Sequence, residues 1–135
     1  SRYPGKPVYT ARWTTPVRTL YWNGVPMVRA RYPNYGGIGK EFALVGSGLA
    51  ANFFTLRAAD LAALKGLNLA GADVRVRSKP YIMESSKVRS FDRSFGWVTL
   101  ETGLKQQLPY AGTGYFFEGH AGLLDTAGTL LEANV

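Results

Sequence analysis

The sequence predicts a mainly β domain, an antiparallel β-sandwich or its barrel-like closure, with one short helix. Three observations carry this. Asn23-Gly24 divides Thr19-Leu20-Tyr21-Trp22 from Val25-Pro26-Met27-Val28, and Asn-Gly fills both positive-φ positions of a type I′ hairpin turn. Much of the chain is cut into short β-branched and aromatic runs by Gly, Pro, Asn and Ser. A helix-favouring composition occurs in a single stretch near Ala58.

In chain order, strands are expected at Val8 to Trp13, Val17 to Trp22 and Val25 to Tyr32. In the last of these, alternation places Val28, Ala30 and Tyr32 on one face and Arg29 and Arg31 on the other. The helix is expected from Ala58 to Lys65. Leu61 and Leu64 form its apolar edge, Asp60 suits its first turn, and Gly66 its C′ stop, so it should cap a sheet end. Strands follow at Asp73 to Arg77, Tyr81 to Val88 and Trp97 to Glu101, with Tyr115 to Phe117 a further candidate. Asp92-Arg93-Ser94-Phe95-Gly96 links Lys87 to Phe91 with Trp97 to Leu100 as a second hairpin with a longer loop. Prolines 7, 16, 26, 33, 80 and 109 fall near strand ends, where a missing amide donor is tolerated.

The length of 135 residues suits one domain, residues 1–135, able to bury a core without a disulfide or structural metal. No run approaches the roughly 20 apolar residues of a membrane span, and no membrane partner is expected. The absence of cysteine removes disulfides, thiolate metal sites and cysteine nucleophiles. Net charge is +7, and the first forty residues hold no Asp or Glu, an asymmetry that can attract an anionic partner. The basic residues are spread singly, however, which favours a solvated basic face.

Catalytic patterns are weak. Tyr35-Gly36-Gly37-Ile38-Gly39 and Ala111-Gly112-Thr113-Gly114 lack the P-loop ending and the GxGxxG spacing, and neither lies in a βαβ context. His120 lies beside Glu118 but without a nucleophile motif, so a structural or surface role is favoured over a general base. The nine carboxylates show no EF-hand spacing, and Asp92 with Glu101, or Glu118 with Asp125, are only formal glycosidase pairs. No catalytic residue, metal site or cofactor is expected, and the isolated chain is read as not an enzyme.

Aromatic residues make up 13% of the chain, and several stand beside polar or glycine-rich turns. Sugar rings present C–H patches that stack on flat aromatic faces, while Arg, Asn, Asp and Gln bind hydroxyls. Trp13, Trp22, Tyr35, Trp97, Tyr110 and Arg31 are the candidate ligand-binding residues. Trp22 and Tyr35 should be more exposed than Phe53, Phe54 or Phe91.

Leu20-Tyr21-Trp22-Asn23-Gly24 followed by Arg29-Ala30-Arg31-Tyr32-Pro33-Asn34 resembles a segment common in bacterial right-handed parallel β-helix proteins that act on polysaccharides. Three later segments are similar in order: Phe54-Thr55-Leu56 with Asp60-Leu61, Val88 to Asp92 leading to Val98-Thr99-Leu100, and Tyr115 to Glu118 with Leu123 to Gly128. The resemblance, from about Val8 to Gly128, implies a β-sandwich accessory domain inserted in such a protein near its cleft. It transfers no catalytic residue. The family's Glu-Trp pair after this point is missing, since the chain reads Thr126-Ala127-Gly128-Thr129-Leu130-Leu131, which favours an excised or independent accessory domain.

The leading expectation is a non-catalytic carbohydrate-binding module of a secreted, extracellular polysaccharide-degrading protein. Its partners would be a polysaccharide or oligosaccharide and a parent β-helix domain, the parent being a glycoside hydrolase or polysaccharide lyase. The alternative is a nucleic-acid or polyanion-binding β-barrel using the basic surface, with nucleic acid the less favoured partner. A third reading is a structural insert that shapes an enzyme's cleft.

Overall fold

A computed structural model describes residues 12, 14–15, 17, 19–36, 39–64 and 66–124, and the backbone of 132–133. The elements are β1 (Tyr21–Trp22), β2 (Val25–Pro26), β3 (Val28–Arg29), β4 (Arg31–Tyr32), β5 (Ala43–Ala50), β6 (Phe53–Leu56), α1 (Ala58–Ala63), β7 (Asp73–Lys79), β8 (Ile82–Asp92), β9 (Trp97–Leu100), β10 (Gly114–Glu118), a 3-10 turn at Ala121–Leu123, and β11 (Glu132–Ala133). The fold is mainly β.

Where the sequence suggested a β-sandwich with a barrel-like form as its variant, the strands close into the barrel. Strands run in the order β10, β5, β6, β9, β8, β7, and β7 pairs back onto β10, giving a closed antiparallel ring of six. Closure pairs each of these strands on both sides, although β5 meets β10 only at Ala43 and Leu44. Strand β10 pairs with β7 along its whole length, while its other edge is shared by β5 at Gly114 and Tyr115 and by β4 at Phe117 and Glu118. Register shifts interrupt β5 against β6, β7 against β8 and β8 against β9, bending the strands where a small barrel needs curvature.

Alternation across β7 and β10 divides inside from outside. Tyr115 lies opposite Val76 and Phe117 opposite Val74, all four fully buried, whereas Phe116 faces Arg75 and Glu118 faces Asp73 on the outer surface. Phe54 from β6 meets Tyr115 with ring centroids 5.2 Å apart, and Tyr115 meets Phe117 at 5.3 Å, so three aromatics fill the interior between Val45, Val88, Val98 and Leu100. Each such ring contributes roughly 1.5–3 kcal/mol on burial. Helix α1 and the 3-10 turn follow strand ends on the same side of the barrel, and Leu64, Leu69 and Leu123 are buried there. The expected helix thus caps a sheet end. It is shorter than expected, spanning Ala58–Ala63 with its C-cap at Leu64, so Gly66, though its φ is +86°, lies two residues past the cap and not at C′; Lys65 lies outside the described residues.

The first hairpin forms as expected. Asn23 and Gly24 have φ of 48° and 78°, and Tyr21 pairs with Pro26 and Trp22 with Val25. It makes a separate two-stranded ribbon, exposed throughout. The expected strand Val25 to Tyr32 is broken into three because it changes partner: β3 pairs with β11 and β4 with β10, with the fully buried Ala30 between them. Val28 is exposed, not packed with Ala30 and Tyr32 as alternation suggested. Among the described residues of Val17 to Trp22, only Tyr21 and Trp22 are strand; Val8 to Trp13 lies, apart from Arg12, outside the described residues, and Arg12 is not in a strand. The β8–β9 hairpin appears where expected, with β8 extended to Asp92.

Strands β5 and β6 were not expected, because Ala43-Leu44-Val45-Gly46-Ser47-Gly48-Leu49-Ala50 combines a β-poor composition with two glycines. Packing explains one of them. A Cβ on Gly48 would overlap the carbonyl oxygen of Pro109, so the loop before β10 crosses β5 where only hydrogen fits.

Candidate functional site

The outer surface of β6, β9 and β8 carries an exposed aromatic cluster. Trp97 begins β9, opposite Thr55 of β6 and Asp92 of β8, so its indole stands outside while its neighbour Val98 enters the core. Phe95, two residues earlier in the β8–β9 turn, stacks on it with centroids 4.9 Å apart and planes at 25°. Phe53 from β6 meets the indole edge-on at 6.1 Å. Phe95 remains 63% and Trp97 46% exposed, so the stack is open to solvent although each ring has found a partner.

The turn that presents Phe95 is held from beneath. Asp92 accepts hydrogen bonds from the amides of Ser94 at 2.8 Å and Phe95 at 3.1 Å, and the Gly96 amide donates to the Asp92 carbonyl. The Leu56 amide donates to the Gly96 carbonyl at 2.9 Å, tying the turn to the end of β6. This short-range network is the physical reason an exposed phenyl keeps a fixed position in a loop. Around the stack the outward positions are Thr55, Thr99, Ser90 and Asp92, hydroxyls and a carboxylate suited to sugar hydroxyls. The same turn contributes Arg93 and Ser94 to an open groove of about 580 Å³, otherwise lined mainly by Ala58, Leu61, Ala62, Leu64 and Phe91.

The sequence-derived candidates are dispersed. Trp22 is exposed at the tip of the β1–β2 ribbon, Tyr35 is exposed in the loop after β4, and Tyr110 is exposed in the loop before β10. Among the described residues the ring contacts of Trp97 are with Phe53 and Phe95, so those three aromatics do not join it. Trp13 lies outside the described residues. Trp22 and Tyr35 are exposed and Phe54 is fully buried, as alternation indicated, with Phe53 and Phe91 intermediate. Phe95 was missed. Its position two residues before Trp97, in the loop of an expected hairpin, was the signal that could have found it.

Arg31 is engaged by the protein itself. Its Nε donates to the Pro33 carbonyl at 2.9 Å, Nη2 donates to the Glu41 carbonyl, and its guanidinium lies 3.7 Å from the centroid of Phe116. Burial lowers its pKa from the ordinary value, while the carboxylates of Glu118 and Glu41 and the Tyr35 side chain oppose that shift. Carbonyls satisfy the donors without neutralising the charge, so Arg31 keeps a long-range pull on anions.

Comparison of the chain with protein-family models, curated proteins and solved structures finds no match. The site is therefore read from its own chemistry. His120 accepts a hydrogen bond on Nδ1 from the Gly122 amide at 3.0 Å, closing the start of the 3-10 turn, which is the structural role favoured from sequence. Glu118 is held by two arginines, with Arg29 Nη1 at 2.9 Å and Arg75 Nε at 3.1 Å from its Oε1. Asp125, its formal glycosidase partner, lies outside the described residues. Among the described residues no three His, Cys, Asp or Glu side chains gather to hold a metal, and no helix is long and apolar enough to cross a membrane.

Proposed function

We propose that this domain is a non-catalytic carbohydrate-binding module, working as an accessory domain of a secreted polysaccharide-degrading protein. The observation that carries the reading is the solvent-open Phe95–Trp97 stack, fixed by the Asp92 turn and bordered by Thr55, Thr99, Ser90 and Asp92. Exposed aromatic surface is costly unless something covers it, and a sugar covers it well: its C–H face stacks while its hydroxyls meet the bordering polar groups. The β-helix-like sequence segments supply the polysaccharide context. They also suggest a parent β-helix domain as the second partner.

A nucleic-acid interface is less well supported. Single-strand binders place cations and bare rings on one track. Here the exposed stack is on β9, whereas Arg31 of β4 and Arg75 and Arg77 of β7 flank β10, half a turn of the ring away. Affinity electrophoresis on a panel of neutral polysaccharides tests the proposal. Retention is expected with at least one, falling tenfold or more in Trp97→Ala and Phe95→Ala while far-UV circular dichroism is unchanged. Absence of retention across a broad panel defeats it.

A further inference from the structure

We infer that the outer face of β4, β10 and β7 is a second binding surface, built for the carboxylates of an acidic polysaccharide. In the ring of six, β10 is three strands from β9 by either route, so this face lies opposite the Trp97 stack and is independent of it. Alternation along β7 turns Arg75 and Arg77 outward, about 6.6 Å apart, and Lys79, beyond a register shift against β8, is exposed as well. Across β10, Arg31 stands opposite Glu118.

Two phenyl rings hold two of these cations, Arg31 and Arg77. Phe42 lies over Gly114, where a Cβ would crowd the Phe42 side chain at 3.0 Å, and meets Phe116 with centroids 6.0 Å apart. Arg31 covers Phe116 at 3.7 Å, and Arg77 covers Phe42 at 5.0 Å. A guanidinium held over a ring loses mobility but keeps its in-plane N–H donors; those of Arg77 offer a fork that matches a carboxylate, whereas Arg31, with Nε and Nη2 given to carbonyls, adds mainly its charge. The local acids do not cancel the charge: Glu118 is shared by Arg29 and Arg75, and Asp73 by Arg29 and Lys87. Among the described residues, neither Arg77 nor Lys79 has a carboxylate within ion-pairing distance. The face therefore presents Arg77, held over Phe42, and the exposed Lys79 as cations without an ion-pair partner among the described residues, beside Arg31 and the Glu118-bound Arg75.

The type of anion follows from what covers the rings. Phe42 and Phe116 are half-buried and already carry guanidinium groups, leaving no bare face on which a base could stack. A uronate chain needs no such face, since its carboxylates are at the edge of each sugar and take forked hydrogen bonds. Such a chain also suits a domain whose opposite side is read as sugar-binding, and together the two faces would bridge a mixed neutral and acidic matrix.

Isothermal titration with polygalacturonate, its methyl ester, poly-dT and polyglutamate, at low and physiological salt, tests this. Polygalacturonate is expected to bind, with affinity falling as salt rises. Methyl esterification and the double variant Arg77→Gln, Lys79→Gln should each weaken it at least tenfold, whereas Trp97→Ala leaves it unchanged. Both substituted side chains are exposed, so thermal unfolding should confirm an intact fold. Absence of polygalacturonate binding, equal or tighter binding of poly-dT or polyglutamate, binding that survives the double variant, or its loss in Trp97→Ala overturns the inference. Loss of neutral-glycan retention alone bears on the Trp97 site and leaves this face standing.

Discussion

Arg29 of β3 donates from Nη1 to Oε1 of Glu118 at the end of β10, spanning 2.9 Å across 89 residues of sequence. The same carboxylate oxygen accepts from Arg75 Nε at 3.1 Å, and Arg29 Nη2 reaches Asp73 at 3.0 Å, so β3, β7 and β10 are tied by one charge cluster. Glu118 is only 8% exposed. Alternation had placed Arg29 and Arg31 together on one face; the structure gives Arg29 to internal acids and Arg31 to carbonyls.

Replacing Glu118 leaves Arg29 and Arg75 facing each other without their shared acceptor. Hydrogen bonds to charged groups contribute about 1.5–3 kcal/mol each, so Glu118→Ala should lower unfolding free energy by roughly 2–3 kcal/mol. Urea denaturation measures this. Arg75→Ala should cost less, because its guanidinium is partly solvated and Arg29 still compensates Glu118.

Tyr115 points the other way. Its hydroxyl is buried without a hydrogen bond of good geometry, while the Asp60 carboxylate accepts from Tyr32 at 2.8 Å. Tyr115→Phe should therefore be neutral or stabilising, by up to about 1 kcal/mol, in thermal or urea unfolding. Burial first, and the Asp60 charge second, push the Tyr115 phenol well above its ordinary pKa. The unfolded chain then ionises before the folded one. Stability from this group is complete below the ordinary value of 10.0 and declines as pH rises above it, a decline the Phe variant should lack.

Glu84 controls the loop that crosses β5. It accepts from the Lys105 amide at 2.6 Å and the Gln106 amide at 3.3 Å. Burial alone would raise its pKa, but the nearby Ser78 hydroxyl, those two amides and the Lys105 charge outweigh it and hold the carboxyl below its ordinary value. The folded state thus binds this proton more weakly than the unfolded chain. Its contribution is full above the ordinary value of 4.5 and is lost as pH falls through the lowered one. Protection factors of the Lys105 and Gln106 amides, exchange rates taken relative to the intrinsic rate at the same pH, should fall in that acid range, and Glu84→Gln should lower them at neutral pH as well.

Features with strong local chemistry were legible in the sequence. Asn23-Gly24 and the Asp92 to Gly96 turn depend on backbone preferences of a few adjacent residues, and both appear where expected; the helix likewise starts at Ala58 but ends at Ala63, short of Gly66. Strands β5 and β6 were not legible, because the feature that makes Ala43–Ala50 a strand is its pairing with β6 and β10 together with the Pro109 carbonyl over Gly48. The candidate site divides similarly. Trp97 was legible as an aromatic beside a polar turn, whereas its partnership with Phe53 needs the register of β6 against β9.

By itself, then, the sequence determined a β-rich chain, two hairpins, one capping helix and a supply of exposed aromatics, since turn chemistry and period-two alternation act within a few residues. Tertiary structure alone decided that β7 returns to β10 and closes the barrel. It also decided that Phe95, Trp97 and Phe53 meet on one side while Arg31, Arg75 and Arg77 gather on the other. Ring closure fixes which outward residues become neighbours, and that depends on pairings between strands tens of residues apart, which no local pattern encodes.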